Sequence, residues 1–166
     1  PVIERVAPAS PVPESRPAAA PVVPLRPAPA LKTPQETVIL VVDDSKMVRL
    51  KTSRLLATQG YQVVLASDGQ DAVDQLRTLR PDLVITDVDM PRLDGFGLAR
   101  HLRGDPRTAG TPVVMITSAE DRHRPEAAAI GVGLVLGKPY PEDALLAHVA
   151  GLRFPAAAPA AAEAIA

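Results

Sequence analysis

The chain contains 166 residues, with 18 lysines and arginines against 19 aspartates and glutamates and a net charge of −1 at pH 7. This balance lacks the basic excess typical of nucleic-acid-binding proteins, so we expect no nucleic-acid partner. The sequence has no cysteine, which excludes disulfides, zinc–thiolate sites and thiol catalysis. Its apolar runs are shorter than the roughly 20 residues of a membrane-spanning helix, so we expect no membrane insertion and a cytoplasmic location.

Proline and alanine dominate both ends of the chain. Residues 1–35 contain "RPAAAPVVPLRPAPA", and because proline removes backbone donors and favours extended conformations, this stretch is expected to be a disordered, semi-rigid linker. Residues 153–166 form a similar Ala/Pro-rich tail. The composition therefore predicts one compact domain over residues 36–152. Because the first residue is Pro1 rather than methionine, we expect this sequence to be part of a longer protein.

Apolar, β-branched runs alternate with stretches of helical periodicity inside the compact domain. The predicted strands are 37–43, 61–66, 82–87, 111–118 and 132–137. The predicted helices are 45–60, 68–80, 94–103, 121–130 and 140–152. Pro125 is expected to shorten or restart the fourth helix, and Pro141 to lie in the first turn of the fifth. Five βα repeats with short links predict an α/β fold, a five-stranded parallel sheet with helices on both faces.

Polar side chains stand at four of the predicted strand ends: Asp43 and Asp44, Asp87, Thr117 and Ser118, and Lys138. The carboxyl ends of parallel strands meet in one crevice, so we expect these groups to lie together. Several carboxylates repel each other unless a cation offsets them, and an all-oxygen set suits Mg²⁺. Lys138 adds one positive charge, and the hydroxyls can bond an incoming oxyanion. The chemistry favoured by this set is phosphoryl transfer onto a carboxylate.

A simpler interpretation of the first acidic pair is that Asp43 and Asp44 cap the following helix, which is a common use of aspartate. Taken alone, the pair favours this interpretation. The coincidence of Asp87 and Lys138 at the ends of two further strands favours the cation site instead.

The segments "VVDDS", "TDVDMPRLDG", "ITS" and "LGKPY", in this order and on this βα rhythm, resemble the receiver domain of two-component response regulators. The resemblance covers residues 37–152 and implies a (βα)5, flavodoxin-like fold. It also implies that Asp87 is the phosphoacceptor. Mg²⁺ would be held by Asp43, Asp44, Asp87 and the backbone carbonyl of Asp89, whose side chain either faces solvent or modulates access to the site.

The same resemblance assigns the residues around the phosphoryl group. Lys138 would contact that group and be followed by a cis bond to Pro139. Thr117 would be the switch hydroxyl, and Ser118 the small neighbour that leaves access to it. Gly95 fits the turn into the third helix, where a side chain would be awkward.

One position departs from the family pattern. Receivers usually carry an aromatic residue in the fifth strand, and Val135 stands there in this chain, too short and stiff to move as an aromatic ring does. Tyr140, close by in sequence, is the alternative occupant of that role. His101, His123 and His148 are isolated, with no metal-ligand spacing and no phosphodonor pattern, and we expect His101 and His148 at the surface.

The context predicted from the resemblance is the C-terminal receiver of a hybrid, chemotaxis-type histidine kinase. The partner would be a phosphohistidine-bearing kinase or phosphotransfer domain, and the module would act as target, sink or relay, as a monomer or weak dimer. Self-catalysed phosphoryl transfer and autodephosphorylation are the expected activities. Two alternatives remain open: a haloacid-dehalogenase-like phosphohydrolase, suggested by the Asp-x-Asp of "ITDVDMP", and a pseudo-receiver that only binds a partner.

Overall fold

The computed structural model describes residues 31–154. Five parallel strands form one sheet in the order β2-β1-β3-β4-β5. The strands are β1 (Val38–Val42), β2 (Gln62–Ala66), β3 (Leu83–Asp87), β4 (Val113–Thr117) and β5 (Leu134–Gly137). β1, β3 and β4 are almost continuously buried, which is why each contains a continuous apolar run rather than an alternating pattern, with polar residues only toward the ends of β3 and β4. The predicted five-stranded α/β architecture is confirmed.

Each strand is followed by a helix. The helices are α1 (Lys46–Ala57), α2 (Gly69–Gln75), α3 (Gly95–Gly104), α4 (Glu120–Ala129) and α5 (Glu142–Gly151). The first three begin at a capping side chain, since Ser45, Asp68 and Asp94 each accept a hydrogen bond from a backbone N–H three residues later. A short 3-10 turn, Pro34–Glu36, precedes β1.

The two faces of the sheet bury separate cores. Leu40 and Val42 point to the face covered by α2, α3 and α4. Ile39 and Val41 point to the opposite face, which α1 and α5 cover. The alternation follows from the two-residue period of a strand, and it decides which helix each strand-end side chain meets. None of the helices within residues 31–154 has the length and apolar character needed to cross a membrane.

Two expectations about proline were wrong. α4 runs without a break from Glu120 to Ala129 with Pro125 inside it. The proline removes only the N–H that would bond the carbonyl of Asp121, and because this stretch is exposed, water can satisfy that carbonyl. Pro141 is the residue before α5 rather than a member of its first turn.

The predicted flanking segments, 1–35 and 153–166, lie mostly outside the described residues. Where they are described, the two segments meet at the amino-terminal edge of the sheet. The backbone N–H of Lys32 donates to the carbonyl of Phe154 at 2.8 Å, and the ammonium of Lys32 lies 2.7 Å from a carboxylate oxygen of Asp82. Asp82 also accepts the N–H of Val38, the first residue of β1. This contact, which we call the Lys32–Asp82 clasp, lies at the opposite end of the strands from Asp87.

Candidate functional site

Asp87 is the last residue of β3, and only 4% of its surface is exposed. The chain then turns sharply into α3, and the N–H of Gly95 donates to the carbonyl of Val88 at 2.8 Å. A Cβ atom added at Gly95 would collide with the Asp87 carbonyl oxygen and lie 2.9 Å from the Cα atom of Val88. Glycine at this position therefore lets α3 start directly beside the buried aspartate.

Asp43 and Asp44 follow the neighbouring strand β1. One carboxylate oxygen from each of Asp43, Asp44 and Asp87 lies within 4.8 Å of the others. Asp43 is buried and its Oδ1 accepts the N–H of Ser45 at 2.8 Å, whereas Asp44 is exposed. Ser45, and neither aspartate, caps α1. Helix capping therefore does not account for the acidic pair, and the three carboxylates form one cluster at the carboxyl edge of the sheet.

Lys138 brings a positive charge to this cluster from the end of β5. Its Nζ lies 3.2 Å from Oδ2 of Asp87 and 3.3 Å from Oδ2 of Asp43. The peptide bond between Lys138 and Pro139 is cis. The Lys138 ammonium is therefore within ion-pair distance of two buried carboxylates, and Asp44 adds a third carboxylate at the rim of the crevice.

The excess of negative over positive charge at this site shifts the pKa values of its ionisable side chains. Burial, followed by repulsion from Asp43, raises the pKa of Asp87 to about 6, although Lys138 opposes the shift. Burial also raises the pKa of Asp43 above its ordinary value. For Lys138, burial favours the neutral form, but attraction to Asp43 and Asp87 outweighs it and the pKa is raised. Three clustered carboxylate oxygens with too little positive charge fit a hard divalent cation such as Mg²⁺.

The two hydroxyl residues at the carboxyl end of β4, Thr117 within the strand and Ser118 directly after it, occupy different environments. Thr117 is fully buried, and its Oγ1 accepts the N–H of Ala119 at 3.1 Å. Ser118 and Asp89 are both exposed, at the rim of the crevice. Since Thr117 pairs with Gly137 in the β4–β5 register, its backbone lies beside that of Lys138 at the same edge.

His123 is a contact of this site that the sequence analysis missed. It lies on α4, is 9% exposed, and its Nδ1 is 2.8 Å from Oγ1 of Thr117. Its ring packs edge-on against Phe96, with the centroids 5.3 Å apart and the planes at 81°. The absence of metal-ligand spacing had suggested an isolated residue. The sequence signal that could have found it is the i, i+4 spacing of His123 and Ala127, the two buried residues of α4.

Val135, at the position where receivers were expected to carry an aromatic residue, and Tyr140, the alternative occupant of that role, lie on opposite faces of the sheet. Val135 is buried in the core under α2, α3 and α4. Tyr140 belongs to the core under α1 and α5, and its hydroxyl is 2.8 Å from the hydroxyl of Thr52. Thr117 bonds His123 of α4, on the Val135 side. Tyr140 is therefore placed away from the face where an aromatic partner of Thr117 would lie.

Comparison with known proteins gives one consistent family. Residues 39–150 match the response regulator receiver domain. The response regulator MprA of Mycobacterium tuberculosis is 40% identical over 116 residues, which make up 69% of this chain and 49% of that protein. The chain therefore spans about half the length of the curated relatives it matches.

Two solved receivers show the same backbone arrangement. The signal receiver domain of a signal transduction histidine kinase from Syntrophus aciditrophicus superposes with a TM-score of 0.64 at 34% identity, covering 69% of this chain and 87% of that one. The receiver domain of the sensor histidine kinase PA1611 from Pseudomonas aeruginosa, described with a magnesium ion coordinated in its active site cleft, gives a TM-score of 0.62 at 27% identity, covering 68% and 93%.

The family match runs from the first strand to the last helix, so it includes the scaffold and every member of the acidic cluster. The curated relatives and the solved structures point to the same type of module. The chain belongs to the response regulator receiver domain family, the phospho-accepting modules of two-component systems.

Proposed function

We propose that Asp87 is the phosphoacceptor and that it takes its phosphoryl group from the phosphohistidine of a kinase or phosphotransfer domain. The observation that carries this proposal is the position of Asp87. It is a buried carboxylate at the carboxyl end of the central strand β3, within 3.2 Å of the Lys138 ammonium and next to two further carboxylates. Phosphoryl transfer depends mainly on positioning and on charge stabilisation, and this crevice offers both.

In the proposed reaction, a carboxylate oxygen of Asp87 attacks phosphorus in line with the leaving nitrogen. The O–P bond forms as the N–P bond breaks, and the donor imidazole leaves with the electron pair and takes a proton from solvent. Lys138 offers positive charge to the phosphoryl oxygens. The Thr117 hydroxyl is the hydrogen-bond donor to one of those oxygens, and Ser118, small and exposed, leaves that side open.

Asp43, Asp44, Asp87 and the backbone carbonyl of Asp89 are the proposed Mg²⁺ ligands. The clustered carboxylate oxygens and the raised pKa values of Asp43 and Asp87 support this assignment, because both mark a site that lacks positive charge. When bound, Mg²⁺ supplies charge that offsets the carboxylates and the phosphoryl oxygens. The magnesium ion described in the cleft of the Pseudomonas receiver supports the choice of metal.

The wider setting that we propose is the C-terminal receiver of a hybrid, chemotaxis-type histidine kinase in the cytoplasm. The segment "GVGLVLGKPYPEDALLAHVAGL" and two solved relatives described as receivers of histidine kinases support it. Pro/Ala-rich segments on both sides would tether the domain and raise the local concentration of donor and acceptor. In that setting the module acts as target, sink or relay, as a monomer or weak dimer.

The test is the intact mass of the full chain after incubation with acetyl phosphate and Mg²⁺. We expect one phosphoryl adduct that requires Mg²⁺, is removed by hydroxylamine and is absent in Asp87→Asn. Asp89→Asn is the matched control, because Asp89 is exposed and in our proposal contributes only its backbone carbonyl, so its adduct should match the wild type.

Three outcomes would overturn the proposal. An adduct that survives in Asp87→Asn would place the acceptor elsewhere. Loss of the adduct in Asp89→Asn, together with sustained phosphatase turnover by the wild type, would favour a haloacid-dehalogenase-like phosphohydrolase. If the wild type formed no adduct and bound no beryllofluoride, the chain would be a pseudo-receiver that only binds a partner.

A further inference from the structure

The Thr117 hydroxyl has a fixed capacity for hydrogen bonds. A hydroxyl donates one hydrogen and accepts through two lone pairs. One lone pair of Oγ1 is used by the N–H of Ala119, at 3.1 Å. The second close partner is Nδ1 of His123, at 2.8 Å, and the direction of that bond decides whether the hydroxyl hydrogen is still available to another group.

The contact on the other ring nitrogen indicates that direction. Nη2 of Arg122 lies 3.5 Å from Nε2 of His123. A guanidinium carries only donors and a positive charge, so it favours a lone pair on Nε2 and places the ring proton on Nδ1. In that tautomer Nδ1–H donates to Oγ1 of Thr117. Both lone pairs of the hydroxyl are then filled, and its hydrogen must point elsewhere.

Packing holds the imidazole in this orientation. The ring is buried between the end of β4 and α3, edge-on to Phe96. Val135, in the core on the same face, has a short side chain. Because packing already restricts the imidazole to one rotamer, its hydrogen bond to Thr117 causes little further loss of side-chain entropy.

We infer that His123 is a positioning residue for the Thr117 hydroxyl. It fills the second lone pair of Oγ1 and thereby directs the single hydroxyl hydrogen toward the phosphoryl group on Asp87. The inference rests on the proposed function, since it assumes that a phosphoryl group on Asp87 is the acceptor of that hydrogen. Through Thr117, His123 connects α4 to the phosphoryl-binding site in a chain whose β5 contains no aromatic residue.

The test uses beryllofluoride, a phosphoryl mimic, titrated with Mg²⁺ into the wild-type 166-residue chain and three variants. In His123→Leu the donor to Oγ1 is gone, and affinity should fall about three- to tenfold, the range for one hydrogen bond. In His123→Asn the amide can donate from the place of Nδ1, and affinity should stay within about twofold of the wild type. His101→Asn, on the exposed side of α3, is the matched control and should not change affinity.

A double-mutant cycle with Thr117→Ala shows whether His123 acts through the hydroxyl. His123→Leu should cause no further loss once Thr117 is alanine, because the two changes remove the same interaction. Equal losses in the presence and absence of the hydroxyl would overturn the inference. So would equal affinities for wild type, His123→Leu and His123→Asn, even if both variants melt at lower temperature.

The tautomer can be observed directly by ¹⁵N NMR of the imidazole in the protein without ligand. We expect Nδ1 to appear as the protonated nitrogen and Nε2 as the unprotonated one. A proton on Nε2 would overturn the inference, because Thr117 would then donate its only hydrogen to the ring. Failure of the wild type to bind beryllofluoride would instead overturn the proposed function, so the two failures are distinguishable.

Discussion

Asp87 combines two properties that oppose each other in an ordinary carboxylate, since it is buried and yet has to be ionised for the reaction that we propose. Burial and the neighbouring Asp43 raise its pKa to about 6, while Lys138 limits the rise. Near neutral pH the group is therefore mostly ionised but poorly neutralised. We expect such a site to bind a divalent cation, and without one the buried charge lowers the free energy of unfolding.

The unfavourable burial of the Asp87 charge predicts how the free energy of unfolding depends on pH in the absence of Mg²⁺. The pKa of Asp87 is higher in the folded state than its ordinary value of 3.8, so folding favours the protonated form, and this contribution is lost as pH rises through about 6. Asp87→Asn should therefore raise the free energy of unfolding at pH 7 by about 1–3 kcal/mol, and the gain should shrink toward pH 4. Urea unfolding at both pH values measures it. Asp89→Asn is the control, and a stability gain of equal size at pH 4 would contradict the assignment.

The position of the Lys138 ammonium predicts that removing its charge slows formation of the Asp87 adduct. Replacing it with methionine keeps the aliphatic stem but removes the charge that lies within 3.3 Å of Asp43 and Asp87. The rate of adduct formation from acetyl phosphate should fall about 10²-fold, the range for losing one charge-stabilising group. Lys51→Met, at an exposed lysine paired with Glu142, is the control and should keep its rate within about twofold. An unchanged rate in Lys138→Met would exclude a role for the ammonium in charge stabilisation.

At the scale of elements, the turn between β3 and α3 determines where the acceptor lies. Gly95→Ala would drive a methyl group into the Asp87 carbonyl, so the start of α3 has to move. We expect a loss of about 2–3 kcal/mol in the free energy of unfolding, measured with urea, and slower phosphorylation of Asp87. Gly104→Ala, at the other end of the same helix with open space around it, should be neutral or stabilising by up to about 1 kcal/mol. Equal effects of the two variants would contradict this account.

The elements differ in how well their sequences predict them. β1, β3 and β4 begin with continuous apolar runs, and β3 and β4 end in polar residues, so the strands and their polar ends could be derived from the chain alone. The predicted bounds of α4, 121–130, are within one residue of the observed Glu120–Ala129, but the buried face of this helix could not be derived in the same way. Its sequence, "EDRHRPEAAA", is polar apart from Pro125 and the alanines, and only His123 and Ala127 are buried.

The contact between His123 and Thr117 has no local sequence pattern because it depends on how α4 packs against β4. The position of Tyr140 shows the same limit. Closeness in sequence to Lys138 suggested a role beside Thr117, but the chain turns after β5 and delivers the ring to the opposite face of the sheet. Residues at strand ends are therefore predictable from parallel topology, whereas partners supplied by helix packing are not.

At the scale of the whole domain, the candidate site and the Lys32–Asp82 clasp lie at opposite ends of the strands. Asp87, the proposed phosphoacceptor, lies at the carboxyl edge, whereas the Lys32–Asp82 clasp joins the first and last described segments at the amino edge. Asp82 and Asp87 are five positions apart along the chain, which is roughly 16 Å of extended strand. The described ends of both flanking segments therefore lie away from the crevice.

This separation predicts that the clasp can be weakened without affecting the site. Lys32→Met removes an ion pair whose side chains are only 23% and 14% exposed, and should lower the free energy of unfolding by about 1 kcal/mol. Arg77→Met, which breaks an exposed pair with Asp74, should change it by less than about 0.5 kcal/mol. Both variants should form the Asp87 adduct at the wild-type rate, within about twofold. A slower adduct in Lys32→Met alone would mean that strain at the amino edge is transmitted along β3 to the acceptor, and that the two ends of the sheet are mechanically coupled.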